Sequence, residues 1–188
     1  MIYESYPWKQ DLLRRKRLIL KYNRAELLSE ENGDRAYTVI EKAVFYSAFI
    51  IRKLIDCKGK VSDDVDKYRF TVKGIPPIKD IDMMHRWPDE DSHDWDREIS
   101  YTKSGADICN WLIHSYIFFF CYDEAGFIES FFVSSDYDRN KLLYRVEMQD
   151  WIAYMDFVSS DYVVSTCMIA DEGKRDYVYT KKERGRLK

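Results

Sequence analysis

The chain lacks the glycine-rich signatures of nucleotide and acyl chemistry. None of G-x-x-x-x-G-K-[ST], G-x-G-x-x-G or G-x-S-x-G occurs, so phosphate-loop ATPase, Rossmann and hydrolase-elbow readings have no support. Glycine and proline are scarce, seven and four in 188 residues, which argues against many long irregular loops. The four cysteines, Cys57, Cys109, Cys121 and Cys167, form no C-x-x-C pair, which excludes a zinc ribbon and a disulfide scaffold. Three of them sit in apolar runs, where a free thiol behaves as a small hydrophobe. The longest apolar runs, 43–51 and 116–122, fall well short of the roughly 20 residues that span a bilayer. No basic start followed by an apolar stretch marks a signal peptide. A net charge of −3 supplies no global attraction to nucleic acid or anionic lipid. The expectation is a cytoplasmic protein with reduced thiols and no membrane association.

What the chain does contain is apolar and aromatic surface. Hydrophobic residues make up 46%, charged residues 34%, and aromatics 16%, with fifteen tyrosines and ten phenylalanines. That balance belongs to a globule with a large core rather than to a disordered chain. In residues 1–59 the periodicity is helical. Trp8, Leu12, Ile19 and Tyr22 share one side, extended by Leu13, Leu20 and Leu27, while Arg14, Arg17, Lys21 and Arg24 draw a basic stripe opposite. Asn32-Gly33-Asp34 breaks the pattern, with Asp34 suited to cap a second helix from about 35 to 57. The centre of that helix, 43–51, is apolar nearly all round, and Gly59 suits its end. The two helices should form an antiparallel hairpin.

Residues 60–103 change character. Tyr68, Phe70 and Val72 alternate with polar residues, a half-buried strand that Pro76-Pro77 ends, and an acidic, histidine-bearing loop follows. In 104–180 a short helix from Ile108 to about Ser115 leads into 116–122, apolar on both sides and expected to be a central strand. Its hairpin partner is 127–133, and 142–146 is a further strand. Met148, Trp151, Ile152 and Met155 mark an amphipathic helix, and 162–169 with 176–180 suggest a closing hairpin around Glu172-Gly173. Residues 181–188 read as a basic, mobile tail. Phe-Val-Ser-Ser-Asp-Tyr occurs at 132–137 and again at 157–162, but the flanks differ, and internal duplication is not favoured. The expected fold is one α+β domain, an N-terminal helical hairpin packed on a mainly antiparallel sheet with interspersed helices.

Three places could carry chemistry. Between Ile81 and Ile99 lie Asp82, His85, Asp89, Glu90, Asp91, His93, Asp94, Asp96 and Glu98. Asp89, Asp91 and His93 alternate as calcium ligands do, but the sixth and twelfth positions hold Asp94 and Ser100 rather than glycine and glutamate, so an EF-hand is rejected. His85 and His93 with Asp89 or Asp91 could still hold a divalent transition metal; the plainer alternative is a solvated loop. The basic stripe Arg14, Arg17, Lys21 and Arg24 could follow a phosphate backbone, or simply solvate a helix that Glu26, Glu30 and Glu31 follow. Asn110 and His114 share a helical face at a spacing of four, where an amide could orient an imidazole acting as general base. The structural alternative is a core histidine bonded to backbone.

The run Cys109-Asn110 to His114 resembles half of the motif of HEPN ribonucleases, in which Arg-Asn and a histidine lie on one helix. That resemblance implies a dimeric helical bundle cleaving RNA without metal, with Asn110 and His114 in the site. Cys109 stands where the family's phosphate-binding arginine should be, and Arg52 could replace it only through tertiary packing. The residues therefore point first to a non-catalytic protein that binds another protein or itself. Metal-independent cleavage of a phosphodiester by His114 and Asn110 is the enzymatic alternative.

Overall fold

The computed structural model describes residues 2–29, 33–171, 173 and 176–185. Helix α1 (Tyr6–Tyr22) carries a proline in its first turn, where a missing N–H costs no intrahelical bond. Its buried positions, Lys9, Leu12 and Ile19, lie on one side. Helix α2 (Gly33–Asp56) packs antiparallel to it: Trp8 meets Phe49, and Arg15 lies over Tyr46. Its Ile40, Ala43, Val44, Ala48 and Ile51 are all but inaccessible, so the apolar centre is enclosed by its own chain, leaving only Tyr46 and Phe49 about half exposed. Asp34 falls inside the first turn rather than capping it. Leu20, expected on the buried face, is exposed, because the helix presents a narrower stripe than the sequence suggested.

A short helix α3 (Asp63–Lys67), capped by Ser62, precedes strand β1 (Arg69–Ile75). After an irregular segment, 76–98, come β2 (Ile99–Ser104) and α4 (Gly105–Ile113). Then follow β3 (Ser115–Tyr122), β4 (Ile128–Ser135), β5 (Leu143–Glu147) and α5 (Met148–Ser159). A closing ribbon pairs β6 (Val163–Asp171) with β7 (Asp176–Arg184). β2 escaped the sequence pattern because none of its residues is buried, and α3 because it is so short.

The five-stranded sheet runs β2-β1-β5-β4-β3, all neighbours antiparallel. The expected α+β architecture, a helix pair on an antiparallel sheet with further helices, is what forms. One placement differs: β3 is an edge strand, not a central one. Its two-sided apolarity arises because both of its faces are covered. Phe118 and Phe120 join the helix-side core, while Ile117 belongs to a smaller core on the opposite face, with Phe119 packed against it. The helix-side core centres on α5. Trp151 is fully buried and its Nε1 donates to Ser47 Oγ at 3.0 Å. Gly105 is required by close approach, since a Cβ there would lie 2.1 Å from the Tyr154 hydroxyl.

The β6–β7 ribbon is separate from the main sheet. Its base is tied to the body through Asp161, 1% exposed, whose carboxylate accepts from the Ser62 amide at 2.8 Å and the Ser62 hydroxyl at 2.6 Å. Arg184 Nε lies 3.6 Å from the same carboxylate, and Lys9 Nζ donates to the Asp161 carbonyl. Residues 181–184, expected as part of a mobile tail, are strand; 186–188, Asn32 and Glu172 lie outside the described residues. The repeated hexapeptide takes two different shapes, closing β4 in one copy and α5 in the other, so it marks no duplication.

Candidate functional site

The smaller core explains the 76–98 segment. Ile81 is buried with Ile75, Ile117, Phe132 and Leu143, and Trp95 packs against them. The segment is therefore a lid on the sheet rather than a wholly solvated loop. Its polar side chains cap its own backbone, as irregular chain must. Asp82 Oδ1 accepts from the Met84 and His85 amides, Ser92 Oγ donates to the Asp89 carbonyl, and Asn140 receives the Ile81 N–H.

The two histidines of that segment have different lives. His85 is exposed and bonds Asp82 Oδ1 through Nδ1 at 2.8 Å. His93 is 1% exposed, with Nδ1 2.8 Å from Ser92 Oγ. Because the Ser92 hydroxyl already donates to Asp89, the imidazole proton belongs on Nδ1, and Nε2 is a buried acceptor without a partner. Burial pulls the His93 pKa down to about 4, with Asp89 opposing. Asp89 pairs with Lys79 at 3.1 Å and Asp91 is exposed. Among the described residues no three histidine, cysteine or acidic side chains are placed to hold a metal ion, so the ligand set His85, His93, Asp89 and Asp91 does not converge.

Asn110 and His114 do share a cleft, of about 630 Å³. A reciprocal capping box builds its start. Asp107 accepts from the Ser104 amide and hydroxyl at 2.9 and 2.7 Å, and its own N–H donates to Ser104 Oγ. His114 caps the other end of α4, and its carbonyl receives the Asp136 amide at 3.2 Å. The His114 side chain is exposed, which corrects the expectation of a core histidine. Lys103 enters from β2, its ammonium 5.3–5.7 Å from the Tyr101, Trp111 and Tyr144 rings. Trp111 and Tyr144 stack at 3.8 Å, and burial pushes the Tyr144 phenol up to about 12, so it is a neutral donor at physiological pH. Cys109 belongs to the helix-side core instead, fully buried, and that burial raises its thiol pKa. Arg52 itself pairs with Asp56 and does not line the cleft. The helical bundle that the motif resemblance implies is replaced by a sheet with helices on one face.

Of the basic stripe, Arg14, Arg17 and Lys21 are exposed on α1, but the helix stops at Tyr22, so Arg24 leaves the helical phase. Their neighbours Arg15 and Lys16 are paired with Asp11 and Asp156.

A second concavity was not legible in the sequence. A groove of about 600 Å³ runs along the outer edge of β3, from Ser115 to Phe120. Asp34, Tyr37 and Glu41 of α2 form one wall, and Arg86 and Trp87 of the 76–98 segment form the other. The Tyr37 ring meets Phe120 edge-on at 5.0 Å. Burial raises the Tyr37 phenol pKa to about 12, with the neighbouring Glu41 carboxylate adding to the rise. Beside the groove Met83, Met84 and Trp87 are 77%, 86% and 70% exposed, a concentration of apolar surface that burial alone does not explain. Lys103, Arg86, Trp87 and Tyr37 are the residues that sequence reasoning missed. Only Trp87, an aromatic in an acidic loop, carried any signal.

The fold and sites define an α+β protein in which the outer edge of β3 borders a groove and a polar cleft lies beside α4. The chain matches no family model, no curated protein and no solved structure. No helix among the described residues is long and apolar enough to cross a membrane.

Proposed function

We propose that this chain is a non-catalytic protein-binding module of the cytoplasm, whose contact surface is the outer edge of β3 with the adjoining 83–87 segment. The carrying observation is an eight-residue apolar edge strand whose outer side faces a groove instead of another strand. Unpaired backbone along an edge is the usual template for adding a strand from another chain. Exposed methionines and tryptophan beside it are the side chains that adaptable protein surfaces use. Four free thiols support a reducing compartment. The apolar centre of α2 is covered within its own chain, which leaves the β3 edge as the better candidate for the contact surface. The test is selection of random decapeptides displayed on phage against the whole protein, repeated on Trp87→Ser. Enrichment on the parent that is lost on the variant is expected. Failure to enrich, or enrichment indifferent to Trp87, would remove the edge as the contact surface.

A second reading is favoured by one observation: the cleft brings Lys103 to the same surface as Asn110 and His114. A lysine there could serve an anionic phosphodiester where Cys109 cannot, with His114 as general base. RNA cleavage by the parent, reduced about 100-fold or more in His114→Gln with unchanged melting, would establish it. An inactive parent would end it.

A further inference from the structure

The charges around the β3 groove say what kind of strand fits it. Asp34 and Glu41 on one wall and Arg86 on the other make no ion pair among the described residues. The walls belong to opposite faces of the sheet. Tyr37, beside the two acids, packs on Phe120, which points into the helix-side core. Arg86 and Trp87 come from the segment that covers Ile117 and Phe119. Any strand laid beside β3 sends alternate side chains to these two walls. One set meets two carboxylates, and the other meets a guanidinium and an indole.

Resting on the edge-binding reading above, we infer that the groove takes an extended segment of a different protein, added to β3 as a sixth strand. Its helix-side positions carry lysine or arginine, and its opposite positions carry apolar or acidic residues. The six residues Ser115–Phe120 offer about 20 Å of edge, enough for about six residues of partner.

A second copy fits this groove poorly. An antiparallel pair of β3 strands related by a two-fold axis keeps helix layer beside helix layer. Asp34 and Glu41 would then approach their own equivalents, and Arg86 would approach Arg86. The incoming strand would bring Phe118 and Phe120 to the acidic wall and Ile117 and Phe119 to the basic one, with no charge to offset either. Like charges brought together at an interface count against a partner, which here selects a heterologous strand.

The probes are two acetylated, amidated heptapeptides alternating lysine with valine and glutamate with valine, titrated calorimetrically into the whole protein. The lysine peptide should bind about tenfold or more tighter, which corresponds to roughly 1.4 kcal/mol. Asp34→Asn with Glu41→Gln preserves side-chain shape, and at unchanged melting temperature it should erase the difference. Methylating alternate backbone nitrogens of the lysine peptide should abolish binding in one phase and spare it in the other, since only one set of amides faces β3. Equal binding of the two peptides, no binding of the lysine peptide, or indifference to both methylation patterns would overturn the inference. Light scattering should find a monomer. A dimer that the lysine peptide dissociates would overturn the heterologous strand while leaving the β3 edge as the contact surface.

Discussion

The two faces of the five-stranded sheet are covered by different means. On one side α1, α2, α4 and α5 bury Trp151, Tyr154, Phe131, Leu12 and Ile19 to below 2% exposure. On the other, an irregular segment contributes its own Ile81 to a smaller core and shelters Ile75, Ile117, Phe132 and Leu143. A helix satisfies its own backbone, so its inward face can be wholly apolar. An irregular segment must commit side chains to its own amides and carbonyls, as Asp82 and Ser92 do, and it carries polar groups inside with it. His93, buried with one nitrogen unpartnered, is the clearest case. The same economy leaves the segment's apolar excess, Met83, Met84 and Trp87, pointing outward beside the β3 edge. One face holds the molecule together, and the other leaves surface over for a partner.

The comparison breaks if the helix face does not dominate stability. Trp151→Ala should cost about 4 kcal/mol in urea unfolding, through lost burial, a cavity and an orphaned Ser47 hydroxyl. The half-buried Trp95 on the loop face should cost less than half as much when changed to alanine. Equal losses would mean that the loop-side core matters as much as the helical one.

Asp161→Ala should cost about 3 kcal/mol, because it strands the Ser62 amide and leaves Arg184 unpaired beside a buried site. Amide exchange would sharpen this result: the β6–β7 ribbon should lose protection before the main sheet. Simultaneous loss in both would show that the ribbon is not a separate cooperative unit.

The loop face should carry a pH dependence that the helix face lacks. His93 titrates near 4 when folded and near its ordinary 6.5 when unfolded, so the unfolded chain binds the extra proton between those values. Stability contributed by the neutral imidazole is present above about 6.5 and is lost as pH falls toward 4. The loss should amount to about 2 kcal/mol between about pH 7.5 and about pH 4.5. His93→Phe should flatten that part of the profile, and the midpoint of urea unfolding at each pH measures it. An unchanged slope in the variant would assign the dependence elsewhere.

The smallest effect is expected at the outward surface. Trp87→Ser should change stability by no more than about 0.5 kcal/mol, since the side chain is 70% exposed. A loss several times larger, read by thermal melting, would show that Trp87 belongs to the core of the lid and not to a contact surface.

Local pattern alone determined the helices and most strands. The 3.6-residue spacing of α1, α2 and α5 and the alternation of β1 are properties of adjacent residues, and the Ser104-to-Asp107 cap is written in four consecutive letters. The cysteine spacing already excluded a scaffold of bridges, and Asn110 and His114 were paired on one helix before any fold was known. Strand order was beyond it. A run apolar on both sides, as in 116–122, reads as central, whereas covering by helices on one face and an irregular lid on the other produces the same composition at an edge. The density of acids and histidines in 82–98 suggested a metal because sequence records proximity along the chain. Tertiary packing turned His93 inward and His85 outward. The groove and the cleft likewise join residues far apart in sequence, Tyr37 with Trp87 and Phe118, Lys103 with His114. Only burial of the two sheet faces, which sets where β3 ends up and what lies beside it, decided that they meet.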